Sequence, residues 1–230
     1  MGVNRGPKYP CIEDGLVFCF DPKNRDCWDG GTSLIDLKNG ITATFTNMGP
    51  SDYTAGALTT EGYVYLDGTD GEIIIASDTK FNALGTGPWT FSIFMEKTDT
   101  TSGAYDGIFY LNANNRLKFQ NNNTLIYLEM GGNDTSLIPE GSWGGVDGNF
   151  HQITVSRENN GNALGYVDGV LKGTTDYSGD SFTAGSATMR IGYNSDFLQA
   201  NVGPILFYNR SLTAAEVLTN YNRLKSRFGL

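Results

Sequence analysis

Few side chains in this sequence could carry proton, metal or redox chemistry: one histidine, His151, and three cysteines, Cys11, Cys19 and Cys27. A Ser-His-Asp or Cys-His system needs an imidazole base, so any such system has to run through His151. In Phe150–Arg157, His151 alternates with Ile153 and Val155, which aims its ring at the core and not at a substrate. The cysteines are odd in number, and no further His or Cys pair completes a zinc-ligand set. They read as reduced and structural. No phosphate loop, Rossmann glycine pattern or metalloprotease helix is present.

Three clusters are candidates for binding. Asp67 and Asp70 in Asp67-Gly68-Thr69-Asp70-Gly71 resemble part of a calcium loop, although the spacing and the missing distal bidentate Glu do not match an EF-hand; Asp-Gly is first a turn pair. Trp143 with Asn133 and Asp134, and Tyr193 with Asn194 and Asp196, each combine an aromatic platform with polar loop groups, the usual equipment of a sugar site. The competing reading is a loop anchor for Trp143 and turn chemistry for Asn194 and Asp196.

The elements that must position these groups are mostly strands. In Phe150–Arg157, residues 151, 153 and 155 point one way and Gln152, Thr154 and Ser156 the other, the signature of a half-buried strand. Asn159-Asn160-Gly161 then turns the chain into Ala163–Val167, and Asp168-Gly169 turns it again into Val170-Leu171-Lys172. This is an antiparallel meander. Leu34–Leu37 and Ile41–Phe45 around Asn39-Gly40 read as a hairpin, and Tyr63–Leu66, Asp67–Gly71 and Glu72–Ile75 as a further strand, turn, strand unit. Trp89–Met95 alternates as a long core strand, with Ile108–Leu111, Arg116–Gln120 and Leu125–Leu128 as its expected neighbours. Residues 131–149 read as a long Gly-rich loop. The period changes only after Ser211, where Thr213-Ala214-Ala215-Glu216 is a capping box. There Val217, Leu218, Tyr221, Leu224 and Phe228 form one helical stripe, leaving Asn220 on the polar side.

With 230 residues and 30 glycines, the chain suits one large all-β domain with many short strands. A net charge of −9 and a pI near 4.5 oppose a phosphate backbone, so nucleic acid is excluded as a partner. No apolar run approaches the length of a membrane span, and the first residues lack the apolar region of a secretion signal, so the expectation is synthesis in a cytosol without membrane insertion. Residues 1–12, with Arg5, Lys8 and Tyr9, read as an extended arm suited to an acidic neighbour, and residues 13–230 as the domain.

The order of these elements resembles the laminin-G-like branch of the concanavalin A-like lectin/glucanase superfamily. The resemblance is carried by Gly15–Asp21, Tyr63–Gly68, Phe150–Val155, Tyr166–Gly169 and Ile205–Leu212 with Glu216. It implies a jelly-roll sandwich of two antiparallel sheets with one C-terminal α-helix. The opening Asn4-Arg5-Gly6-Pro7 looks like forms common in virion proteins of tailed phages, marine and cyanobacterial ones especially. That implies a non-enzymatic capsid-decoration or tail-associated protein located in the virion, its arm docked on other virion proteins. The alternative is a module that binds host surface polysaccharide. Glycosidase ranks third, because the related glucanases use a Glu-x-Asp-x-x-Glu run that this sequence lacks. The resemblance implies no cofactor beyond calcium at a rim loop.

Overall fold

In the computed structural model, which describes residues 9–49, 62–99, 105–120, 125–183 and 187–230, the alternating runs pair as antiparallel strands, numbered here in chain order. One sheet runs β1 (Leu16–Phe20), β17 (Gln199–Tyr208), β7 (Trp89–Lys97), β12 (His151–Arg157), β13 (Asn162–Val167), β14 (Val170–Asp176), with β4 (Val64–Asp67) also on β17. The other runs β11 (Asn133–Ile138), β10 (Leu125–Met130), β9 (Asn115–Gln120), β8 (Gly107–Asn112), β16 (Met189–Ile191), β5 (Glu72–Ile75), β3 (Thr42–Thr46), β2 (Ser33–Ile35). A small ribbon pairs β6 (Ala83–Gly85) with β15 (Phe182–Thr183), next to the single-turn helix α1 (Thr79–Asn82). The result is an antiparallel jelly-roll sandwich.

Between the sheets, Phe91, Ile93, Met95, Ile153, Val155, Ile205 and Phe207 meet Ile73, Ile75, Phe109, Leu117, Ile126, Leu128, Met189 and Ile191. A second core lies on the outer face of the seven-stranded sheet, where Phe94, Tyr166, Leu206 and Tyr208 meet Val217 and Leu224 of α2 (Ala214–Leu224). This face is covered, so Phe150–Arg157 is not half-buried: Gln152, Thr154 and Ser156 are all inside. Their polarity is used there. Thr154 Oγ1 lies 2.8 Å from Ser92 Oγ, while Ser156 Oγ lies 3.0 Å from Thr90 Oγ1 and 2.9 Å from Ser211 Oγ, which ties the chain leading into the helix to the sheet.

The capping box at Thr213 and Glu216 forms, and a 3-10 turn, Lys225–Phe228, continues the helix. Two helix assignments change. Leu218 is 43% exposed, because the stripe is narrower than five residues. Asn220 is buried, accepting from Ile12 N at 2.8 Å and donating to Tyr208 Oη at 3.0 Å.

The base of the arm also belongs to the domain. Tyr9 is buried with the Lys38 ammonium 5.3 Å from its ring centre, Cys11 is buried, and Arg223 Nη1 donates to the Cys11 carbonyl at 2.9 Å. Tyr9 is therefore part of the outer core and not a residue held out to a partner; Arg5 and Lys8 lie outside the described residues. The structured domain thus reaches back at least to residue 9.

Other expectations are corrected by topology. β4 and β5 do not pair with each other: β4 joins β17 in one sheet and β5 joins β3 and β16 in the other, so the Asp67–Gly71 turn carries the chain across the sandwich. β8, β9 and β10 form the expected meander, but in the sheet opposite β7, whose hydrogen-bonded neighbours are β12 and β17. The expected loop at 131–149 begins as a strand. Gly131-Gly132, both with positive φ, turn β10 into β11, and Asn133–Ser136 form a polar edge that periodicity does not reveal. Among the described residues no helix is long and apolar enough to cross a membrane.

Candidate functional site

The crossing turn places Asp67 at one rim of the sandwich. Its Oδ1 accepts N–H groups of Thr69 at 2.9 Å, Gly71 at 3.2 Å and Asp70 at 3.4 Å, and Gly68 supplies the positive φ. Burial pushes the Asp67 carboxyl up, but these backbone donors outweigh it and hold it below the usual carboxylate range. β17 starts beside it, with Gln199 opposite Asp67.

The same rim receives the end of β7 and the start of β8. The Lys97 side chain is fully buried between the Asp99 carboxylate and Asp106 Oδ2, the latter at 2.7 Å, with the Phe119 ring centre 5.5 Å away. Burial raises the Asp106 carboxyl, and Lys97 offsets this in part. The loop 193–198 is clasped to this edge. Tyr105 N donates to Asp196 Oδ2 at 3.1 Å, Asn194 Nδ2 to the Tyr105 carbonyl at 3.0 Å, and Arg116 Nη1 to Asn194 Oδ1 at 2.7 Å. Position 107 must be glycine: a Cβ there would stand 2.0 Å from the Tyr193 carbonyl oxygen. Asp67, Asp99, Asp106, Asp196, Phe197 and Gln199 thus line an open cleft of about 430 Å³.

An aromatic and charged surface adjoins it on the outer face of the eight-stranded sheet. The Arg190 guanidinium lies 3.3 Å from the Tyr193 ring centre and is held by Glu72 through bonds of 2.5 and 2.7 Å. Tyr110 and Phe197 each meet Tyr193 edge-on at 5.4 and 5.3 Å. Lys118 Nζ is 4.9 Å from the Tyr105 ring centre and pairs with Asp134 at 2.7 Å, while Arg116 pairs with Glu129 at 2.6 Å. Every cation of this surface has a carboxylate partner.

The sequence-derived candidates therefore separate. Tyr193, Asn194, Asp196 and Asp67 come together at the rim, with Asn194 buried as a brace. Asp134 belongs to the ion-pair lattice at the far edge, and Asn133 is tied to Asp180 at 2.8 Å. Trp143 is 1% exposed and packs on Phe119 at 4.8 Å, so it anchors a loop and offers no platform. Asp67 and Asp70 are turn residues; among the described residues no group of three His, Cys, Asp or Glu side chains is placed to hold a metal ion. Sequence reasoning missed Lys97, Asp99, Asp106, Tyr105, Tyr110, Arg190 and Phe197. A lysine closing a long apolar strand was the one available signal, because nothing local links positions 67, 106 and 196.

A sandwich of this topology, with a polar cleft and aromatic rings at one rim, is a lectin-like jelly roll. Residues 43–218 match the family model of the concanavalin A-like lectin/glucanases superfamily, Laminin_G_3, and the chain belongs to that family. Among solved structures it is similar to domain 4 of AbnA, an extracellular arabinanase from Geobacillus stearothermophilus, in complex with arabinotriose (TM-score 0.64, 17% identity, covering 90% of this chain and 98% of that one). It is also similar to Trypanosoma rangeli sialidase in complex with sialic acid (TM-score 0.67, 14% identity, 94% and 34%) and to the botulinum neurotoxin serotype D binding domain (TM-score 0.66, 14% identity, 91% and 52%). The chain thus spans about a third of the sialidase and about half of the toxin domain. No curated protein matches it significantly.

Proposed function

We propose that this chain is a carbohydrate-binding module that holds a neutral oligosaccharide across the rim cleft and the Tyr193 surface without cleaving it. The observation that carries this is the convergence of three part-exposed carboxylates, Asp67, Asp99 and Asp196, on one open cleft beside the rings of Tyr193, Tyr110 and Tyr105. Carboxylates accept from sugar hydroxyls, and ring faces take the apolar C–H side of a pyranose or furanose. The arabinotriose-bound neighbour is consistent with this reading. Lys97, fully buried behind the acidic cleft, is already paired with Asp99 and Asp106, so a carboxylated or sulfated sugar would meet repulsion. The state of Asp106, whose carboxyl is raised by burial, supports binding without cleavage. A general acid must reach the leaving oxygen, whereas the Asp106 side chain is 2% exposed and bound to Lys97.

The setting we propose for the module is a virion, as a decoration or tail-associated adhesin, on the resemblance of its opening residues to phage virion proteins. Mass spectrometry of purified particles tests the setting separately, since absence from particles removes it and leaves the binding reading intact. For binding, neutral and acidic glycans are presented on an array, and hits are titrated calorimetrically. Neutral saccharides should bind, and Tyr193→Ala should lose about tenfold in affinity, near 1.4 kcal/mol. Silence across all neutral glycans, or full affinity in a folded Tyr193→Ala variant, would sink the proposal; released reducing sugar would refute the claim of no cleavage.

A further inference from the structure

The end of β7 and the residue before β8 bury an amine against a carboxyl group. The Lys97 side chain is fully buried and the Asp106 side chain is 2% exposed, with Nζ and Oδ2 2.7 Å apart. Asp99, 15% exposed, holds the same ammonium, and the Phe119 ring centre lies 5.5 Å from it. Asp106 Oδ1 is buried and has no hydrogen-bond partner among the described residues. As an ion pair this arrangement is costly, because two charges are taken out of water and one carboxylate oxygen is left idle.

We infer that Lys97 and Asp106 condense into an intramolecular amide, with Asp99 as the base, and that this bond ties β7 of one sheet covalently to the start of β8 in the other. Amide formation removes both buried charges, and the idle oxygen survives as a neutral carbonyl, which costs far less to bury. Burial favours the protonated, electrophilic form of Asp106, against the pull of Lys97. The step balances without a co-reactant. One Nζ proton passes to Asp106 Oδ2; the freed lone pair attacks Asp106 Cγ, and Oδ1 takes the negative charge. Asp99 removes a second proton from the nitrogen and hands it to the Oδ2 hydroxyl, the C–O bond breaks, and one water leaves as Oδ1 reforms the carbonyl. The third proton stays on the amide nitrogen.

Both partners are held in place by backbone pairing. Lys97 lies opposite Ala200 of β17, and Thr98 N donates to the Gln199 carbonyl at 3.1 Å. On the other side, Phe119 N donates to the Asp106 carbonyl at 2.8 Å, and Asp106 bridges to Asp196. Groups fixed this way in a site that excludes water turn a slow condensation into an intramolecular one with high effective concentration. The bond is independent of what the cleft binds.

The test reads the intact mass of the purified, folded, full-length protein and its tryptic map after denaturation. The expected result is a mass one water below that required by the sequence, and a fused Phe81–Arg116 peptide that trypsin does not cut after Lys97, with fragment ions joining Lys97 to Asp106. Lys97→Arg keeps the positive charge but cannot condense, so it should show its full mass. Asp99→Ala keeps both partners and should retain chain at full mass after the wild-type protein has converted completely. A folded wild-type chain at full mass, cut normally after Lys97, would be a plain ion pair and would overturn the inference. So would a bond to Asp99 in place of Asp106, or complete conversion of Asp99→Ala. Loss of water that hydroxylamine reverses, with cleavage after Lys97 intact, would mark a succinimide at Asp106-Gly107 and overturn it as well.

Discussion

His151 has a structural task that its position on β12 makes visible. Its Nδ1 lies 2.7 Å from Asp168 Oδ2, in the turn between β13 and β14, and its Nε2 lies 3.2 Å from Asp147 in the loop before β12. The Asp168 hydrogen bond, opposed by burial and reinforced by both carboxylate charges, raises its pKa. A histidine whose folded pKa is raised contributes stability that is complete below its unfolded pKa, about 6.5, and that fades as pH rises through the higher folded value. Thermal melts across neutral pH should accordingly fall as pH rises above that point. His151→Asn should melt lower at acidic pH and lose this slope, and an unchanged slope would show that another group is responsible. The same residue illustrates how far one position can be read alone: its single occurrence and its alternation were visible, but both carboxylates come from turns whose approach no pattern states.

The C-terminal helix shows the same division one level up. Its start was readable because the capping box is local chemistry, and Arg210 completes it by binding Glu216 at 2.7 and 3.0 Å, which holds that carboxyl at about 2. Its buried stripe was readable in Val217 and Leu224, which are both inside. Leu218 and Asn220 were misassigned because the helix packs over the outer face of the seven-stranded sheet and over residues 9–12, neither of which periodicity contains. Leu224→Ala deletes a fully buried side chain in the outer core and should cost about 2–4 kcal/mol, measured as a shift in the denaturant midpoint at constant slope. A change below about 0.5 kcal/mol would mean that the helix does not lock the domain. The Asp67 turn was recognised as a turn, yet its partners were misjudged. An Asp-Gly reversal looks alike whether it closes a hairpin or crosses between sheets.

For the molecule as a whole, the seven-stranded sheet is sandwiched twice, by the other sheet on one side and by residues 9–12 and the helix on the other. A chain ending after Leu212 would leave Phe94, Tyr166, Leu206 and Tyr208 facing water, an apolar patch of the kind that drives association. Such a variant should aggregate on size-exclusion chromatography, and a monomer with a cooperative melt would show that the outer core is dispensable. The class of fold, the antiparallel pairing, most turns and the C-terminal helix follow from alternation, glycine positions and capping, all of which act over a few residues. What only the tertiary structure decided is which sheet each strand joins and therefore which loops meet. Asp67, Asp99, Asp106 and Asp196 share a cleft because two sheets stack and their crossing turns converge on one rim. Trp143, equally suggestive as a residue, turns inward because its loop closes over Phe119. Loop-to-loop proximity is set by burying the two cores together, and that long-range term leaves no trace in the local spacing of residues.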